Sequence, residues 1–268
     1  MPQLFLRGRS IGEIQGVLFD KDGTLSHSEP KLTNLAEARI KLAVSRFQGG
    51  QAHQQSQNKL ADLLSSAYGL SEEGIHPGGT IAVASREHNL ISTATVFCLL
   101  GEGWPQSLAL AHEVFDAVDL HLAEDGAPGG ATTLLPGALT VLQQLQKAGV
   151  VCAVISNDTP KGIENFLINN NLQDTIPCRW SADHRPAKPD PGAVQGLCKQ
   201  LGLAPSECAL IGDADSDLRM AHQANIGIIL GYMAGWRQTP PLRAHQHLIH
   251  HWNELGVGAD PTVPAQSS

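Results

Sequence analysis

Short, unbroken apolar runs alternate with amphipathic segments in the second half of this chain, and that alternation restricts its fold more than any other feature. "VVCAVIS" (150–156), "CALIGD" (208–213) and "IGIILGY" (226–232) place apolar residues at consecutive positions. A strand buried on both faces reads this way, whereas a strand with one solvated face alternates. Between the runs lie "GALTVLQQLQKAGV", closed by Gly149, "KGIENFLINNNL", "PDPGAVQGLCKQLGL", with prolines near its start, and "SDLRMAHQAN". Their apolar residues recur at helical spacing. "GVLFD" (16–20) ends a first strand candidate, "CRWSA" is another, and "HQHLIHHWNEL" reads as a last strand running into a helix. The expected fold class is α/β: a Rossmann-like, doubly wound parallel sheet with helices on both faces.

The stretch from about 25 to 134 breaks this rhythm. "KLTNLAEARIKLAVSRF", "QSQNKLADLLSSAYGL", "EHNLISTATVFCLLGEGW" and "WPQSLALAHEVFDAVDLHL" all read as helices, interrupted by "GIHPGGTIAVAS". We expect a mostly helical domain over 26–133, inserted into the first crossover of an α/β core formed by 1–25 and 134–256, with a flexible tail over 257–268. A chain of 268 residues has room for both.

Composition excludes several partners. The net charge of −8 argues against non-specific nucleic-acid binding, which needs basic surface. The five cysteines are odd in number and form no CxxC pair, so neither a disulfide framework nor a zinc site is expected. No apolar run approaches the ~18 residues of a membrane span, and Leu4–Leu6 is too short for a signal peptide. These features together predict a cytoplasmic protein with no membrane partner, either monomer or homodimer. No GxxxxGK[ST] supports a P-loop. The histidines of 245–251 sit on a strand candidate at the sheet edge, where a metal site is a minor reading.

Chemistry concentrates at the ends of the apolar runs. In a parallel sheet, ligands bind beyond the carboxyl ends of the strands. The first run ends on Asp20, with Asp22 just beyond; the second ends on Ser156, followed by Asn157; the third ends on Asp213, with Asp217 one helical turn on. Lys188, in "AKPDP", precedes the helix leading to the third run and can reach the same rim. Carboxylates gathered in one cleft need a cation. Mg²⁺ suits them, because it takes hard oxygen ligands and keeps places for water and phosphate. Lysine, a serine hydroxyl and the main-chain N–H groups after Asp20 suit phosphate oxygens. If the segment stays extended, Asp20 and Asp22 point to one side and Lys21 to the other.

These residues resemble the haloacid dehalogenase-like superfamily of hydrolases in four motifs, in order. They are Asp20-Lys21-Asp22-Gly23-Thr24 (DxDGT), Ser156 closing an apolar strand, Lys188-Pro189-Asp190-Pro191, and Gly212 to Asp217 (GDxxxD). The resemblance implies a phosphatase of the phosphoglycolate phosphatase-like branch acting on a small phosphorylated metabolite. It implies Asp20 as nucleophile and Asp22 as general acid and base. Mg²⁺ would sit on the Asp20 carboxylate, the Asp22 main-chain carbonyl and Asp213. Lys188, Ser156 and Asn157 would bind phosphate, with Asp217 supporting from behind. The helical insertion resembles a cap that selects substrate, and Arg86 and His88 in 76–88 are its candidate contacts. Alternatives are a sugar-phosphate phosphomutase, or a receiver-like module that holds phosphate without turnover; the second acid and the large insertion argue against the latter.

Overall fold

The computed structural model describes residues 1–47, 53–124 and 132–258. The chain opens with β1 (Gln3–Leu6), β2 (Arg9–Glu13) and β3 (Gly16–Phe19). An insertion follows, with α1 (Glu29–Arg46), α2 (His53–Tyr68), β4 (Leu70–Ser71), β5 (Gly74–Ile75), α3 (Thr80–Val83), α4 (Arg86–Leu99) and α5 (Trp104–Glu124). The remainder alternates: α6 (Ala138–Lys147), β6 (Val151–Ile155), α7 (Pro160–Asn169), β7 (Cys178–Trp180), α8 (Pro191–Leu201), β8 (Cys208–Gly212), α9 (Asp215–Gln223), β9 (Ile228–Tyr232), β10 (His247–Ile249) and β11 (Leu255–Gly258).

Two compact units result. One comprises 1–27, 133–235 and 241–268, and the other comprises 28–132 and 236–240. The first is built on a six-stranded sheet in the order β10-β9-β8-β3-β6-β7, with every neighbouring pair parallel. The chain runs outward from β3 through β6 and β7, then returns to the other side of β3 for β8, β9 and β10. Winding therefore reverses between β3 and β8, which is where such sheets open a crevice for ligand. Val17 and Phe19 face one apolar layer with α6 and α7, and Leu18 faces the other with α8 and α9. This two-sided burial is what the unbroken apolar runs demanded, and the α/β reading holds.

Antiparallel pairing adds a three-stranded sheet, β11-β1-β2, to this unit. Its hairpin turns on Arg7 and Gly8, both at positive φ. Val257 and Gly258 pair with Leu4 and Gln3, so these two residues of the expected loose tail are ordered strand. The rest of that tail, 259–268, lies outside the described residues. Drawing Leu255–Gly258 into a strand also leaves only one 3-10 turn, Trp252–Glu254, where a helix was expected. The two linkers of the insertion run side by side: Leu135 N–H donates to Leu25 C=O at 2.8 Å and His27 N–H to Thr133 C=O at 2.8 Å.

The second unit packs α1, α2, α4 and α5 around Phe47, Leu60, Leu64, Tyr68, Phe97 and Phe115. Buried Glu29 ties its edge together, accepting from Ile75 N–H at 3.0 Å and from Arg237 N–H at 2.8 Å. Trp236, which the sequence left open as a pocket-bordering residue, is buried in this apolar cluster.

Candidate active site

Asp20 ends β3 at the winding reversal, and its N–H still donates to Ile211 C=O of β8 at 2.9 Å. The ladder thus fixes the backbone at the point where the side chain leaves the sheet. Asp213 follows β8 directly, Asp217 lies in the first turn of α9, and Lys188 arrives on the loop before α8. All four side chains are buried. The Lys188 ammonium stands 2.6 Å from Asp20 Oδ1 and 2.8 Å from Asp217 Oδ2, and it donates to Ile155 C=O at 3.4 Å. Thr24 Oγ1 donates to Asp213 Oδ1 at 2.7 Å.

These contacts set the charge states. Burial pushes the Asp20 carboxyl well above the usual carboxylate range; Lys188 pulls it down, and Asp217 and Asp213 push it up again. Burial works to lower the Lys188 ammonium, but Asp20 and Asp217 outweigh it and the net shift is upward. Lys188 is therefore a fixed cation at neutral pH.

Asp20 and Asp217 share the Lys188 ammonium, and Asp213 is near enough to Asp20 to raise its carboxyl, so three buried carboxyl groups meet one buried ammonium. Such a site fits a divalent cation. The donors fit Mg²⁺ in kind: hard oxygens, few of them carboxylates. Among the described residues, no three His, Cys, Asp or Glu side chains are arranged to hold a metal by themselves.

The segment after Asp20 departs from its expected course. Leu25 and Ser26 N–H groups both donate to Lys21 C=O, at 3.0 and 2.8 Å, so the chain turns at once. Alternation of an extended strand does not apply past Phe19, and Lys21 does not point away from Asp22. Its ammonium lies 2.6 Å from Asp22 Oδ1 and 3.0 Å from Asp158 Oδ2. Gly23 sits at positive φ, and its carbonyl is passed so closely by Gly235 that a Cβ there would collide with it. Trp252 Nε1 donates to Thr24 C=O at 3.2 Å, pinning the loop from the core side.

Ser156 ends β6 as expected and is buried, with its N–H on Trp180 C=O at 2.9 Å. Its Oγ accepts from Asp158 N–H at 3.1 Å. Asn157 is half-buried in the same turn. Arg86 is engaged in ion pairs inside the helical unit. Its Nε and Nη2 are held by Asp119 at 2.6 Å and Asp116 at 2.7 Å within the helical unit. There it joins α4 to α5, with its charge matched by two carboxylates. His88 is exposed beside it, its N–H capping onto Ser85 at 3.2 Å. Sequence reading passed over Lys21, Thr24 and Asp158 as participants; only Thr24 carries a signal, as the last letter of DxDGT.

A family model for haloacid dehalogenase-like hydrolases matches residues 14–225. The chain belongs to the haloacid dehalogenase-like hydrolase family. Among its relatives in that family, a phosphoglycolate phosphatase from Yersinia pestis is 27% identical over 231 residues, spanning 83% of this chain and 84% of the other. A phosphoglycolate phosphatase from Cereibacter sphaeroides is 25% identical over 242 residues, spanning 90% and 95%. Solved structures share the fold. A predicted phosphoglycolate phosphatase from Haemophilus somnus 129pt superposes with a TM-score of 0.63 at 19% identity over 90% of this chain and 96% of that one. CbbY from Rhodobacter sphaeroides, in complex with phosphate, gives 0.57 at 16% identity over 89% and 95%. At these identities the structural likeness concerns the fold alone. This member of the haloacid dehalogenase-like hydrolases is an enzyme, and no helix among its described residues is long and apolar enough to cross a membrane.

Proposed function

We propose that the protein is a Mg²⁺-dependent phosphatase of a small phosphorylated metabolite, working through a phosphorylated Asp20. The observation that carries this reading is the Asp20–Lys188–Asp217 cluster at the winding reversal of the sheet. Asp20 Oδ attacks phosphorus, the bond from phosphorus to the substrate oxygen breaks, and that oxygen takes a proton from Asp22. Water then attacks the same phosphorus and gives its proton back to Asp22. The bond to Asp20 breaks and inorganic phosphate leaves. Lys188 neutralises the Asp20 side of the transferring group, Ser156 and Asn157 hydrogen-bond its oxygens, and Asp217 keeps Lys188 in place. Mg²⁺, held by Asp20, the Asp22 main-chain carbonyl and Asp213, would supply charge neutralisation for the phosphoryl oxygens. Thr24, bonded to one oxygen of Asp213, fixes the direction of that carboxylate.

Two curated relatives are named for phosphoglycolate, so 2-phosphoglycolate is the first ester to try, within a panel of small phosphate monoesters. Phosphate release should require Mg²⁺, stop with EDTA, and fall about 10³-fold or more in Asp20→Asn. Label from the ester that neutral hydroxylamine releases, as it does from an acyl phosphate, should appear on Asp20 in wild type alone. Mg²⁺ should also raise the melting temperature, by about 2.7 kcal/mol of added stability at a hundredfold excess over Kd, and this rise should vanish in Asp213→Asn. Undiminished turnover in Asp20→Asn would sink the reading. So would an isomerised sugar phosphate formed without release of phosphate, which marks a mutase.

A further inference from the structure

Lys21 and Asp158, two charged side chains beside Asp22 and Ser156, have no task in this reaction. Lys21 is only 2% exposed, a rare condition for lysine, and the Phe166 ring of α7 lies with its centroid 5.7 Å from the ammonium. A buried cation is tolerated only when paired, and Asp22 at 2.6 Å and Asp158 at 3.0 Å provide the pairing. Both carboxylates keep an edge in solvent, their side chains being 21% and 26% exposed. The ammonium lies beneath them and meets one oxygen of each rather than a ligand, so Asp158 can carry the balancing charge while Asp22 holds a proton.

Asp158 is itself held firmly. Its Oδ1 accepts from Thr159 N–H at 2.7 Å and its own N–H donates to Ser156 Oγ at 3.1 Å. Gly162 in the first turn of α7 makes room for it, because a Cβ there would collide with both carboxylate oxygens. One ammonium therefore ties Asp22 to a rigid turn at the end of β6, the turn that also carries Ser156.

We propose that Lys21 is a positioning residue: anchored on Asp158, it sets the direction in which Asp22 presents its carboxyl to the leaving-group oxygen. This rests on the reading of Asp22 as the proton donor. The anchor matters because a carboxyl at the mouth of a turn has several rotamers, and proton transfer needs the one within hydrogen-bond reach of the departing oxygen.

Leaving-group dependence separates positioning from general structural damage. Phenyl phosphate and 4-nitrophenyl phosphate have similar shapes, but phenolate needs a proton as it departs far more than 4-nitrophenolate does. kcat/KM reports the steps up to that departure. Lys21→Met keeps the length and the contact with Phe166 while removing the anchor. It should lower kcat/KM about tenfold or more for phenyl phosphate, and less than about threefold for 4-nitrophenyl phosphate. Asp22→Asn should show the same split, larger, and adding Lys21→Met to Asp22→Asn should not widen it. Asp158→Asn retains an oxygen for Thr159 N–H, removes only the anchoring charge, and should show the split more weakly. It decides the matter alone if Lys21→Met does not fold. Absence of a split in Asp22→Asn itself would overturn the proton-donor reading, and this inference with it. A split in Asp22→Asn with equal losses, or none, on both esters in Lys21→Met and Asp158→Asn would overturn the positioning role and leave the proton donor standing.

Discussion

At the scale of single residues, the candidate site is a problem of buried charge. Lys188 holds Asp20 and Asp217 together, so replacing it should damage folding and turnover at once. Lys188→Met leaves two buried carboxylates without their cation, which costs about 3–5 kcal/mol where no other partner steps in. A urea titration at pH 7 without metal should show that loss. Steady-state assays should show kcat/KM down by about 10²–10³-fold, the usual cost of removing one preorganised charge-stabilising group. A variant with wild-type stability would mean that the carboxylates find another way to be neutral. Asp20, Asp213 and Asp217 are legible in the sequence because each stands at a strand end or a fixed step beyond one, and those strand ends are written in apolar runs; Lys188 is legible through its setting in "AKPDP" before α8. Lys21 and Asp158 are not legible. Their meeting depends on a turn that begins immediately after Phe19, where strand alternation no longer says which way a side chain points. Arg86 is a cation whose two ion pairs, with Asp116 and Asp119 a helix away, the sequence does not announce.

At the scale of elements, the strands of the parallel sheet can be read within a residue or two, since burial on both faces forces continuous apolar stretches. The small sheet β11-β1-β2 cannot. Its strands are short, its turn at Arg7-Gly8 lacks the Asn-Gly or Asp-Gly signal of a tight hairpin, and its third strand comes from the far end of the chain. Between the two sheets' chain segments sits Trp252, fully buried, with its ring 4.8 Å from Tyr232 and 5.9 Å from Phe19. It joins the fold to the site by a single bond, from Nε1 to Thr24 C=O. Trp252→Ala should cost about 3–5 kcal/mol through the cavity it leaves. Trp252→Phe restores most of the apolar contact but not the bond, and should cost about 1–2 kcal/mol more than a neutral swap because a buried carbonyl loses its donor. Since that carbonyl belongs to the loop carrying Asp22, the Phe variant should also lose turnover out of proportion to its stability. Full activity in a stably folded Trp252→Phe would show that the loop holds its shape without this pin.

At the scale of the whole molecule, several buried groups share one response to alkali. Burial pushes the Cys152 thiol up to about 12 from 9.0, and burial followed by Glu254 pushes the Tyr232 hydroxyl up to about 12 from 10.0. Burial works to lower Lys21 and Lys188, yet their paired carboxylates carry both above 10.5. Each of these groups keeps its proton in the fold over a range where the unfolded chain releases it. The native state therefore binds more protons from about pH 9 upward, and stability must fall with rising pH by about 1.4 kcal/mol per pH unit for each proton of difference. The contribution of each group is fully present below its unfolded value and disappears as pH passes its folded one. Cys198 and Cys208, whose sulfurs are 3.9 Å apart, shift in opposite directions and so partly offset each other. The urea midpoint of the metal-free protein should hold to about pH 8.5, begin to fall as the unfolded thiol of Cys152 ionises, and steepen above pH 10 as Tyr232 and the two lysines join. Cys152→Ala should remove the early part of the decline and leave the steeper part in place, while Lys21→Met should leave the early part and make the later part shallower, with Tyr232 and Lys188 still contributing. A midpoint that stays level or rises between pH 9 and 11 would mean that these groups ionise inside the fold, and that the pairing of Lys21 and Lys188 with their carboxylates is looser in solution than 2.6 Å contacts require.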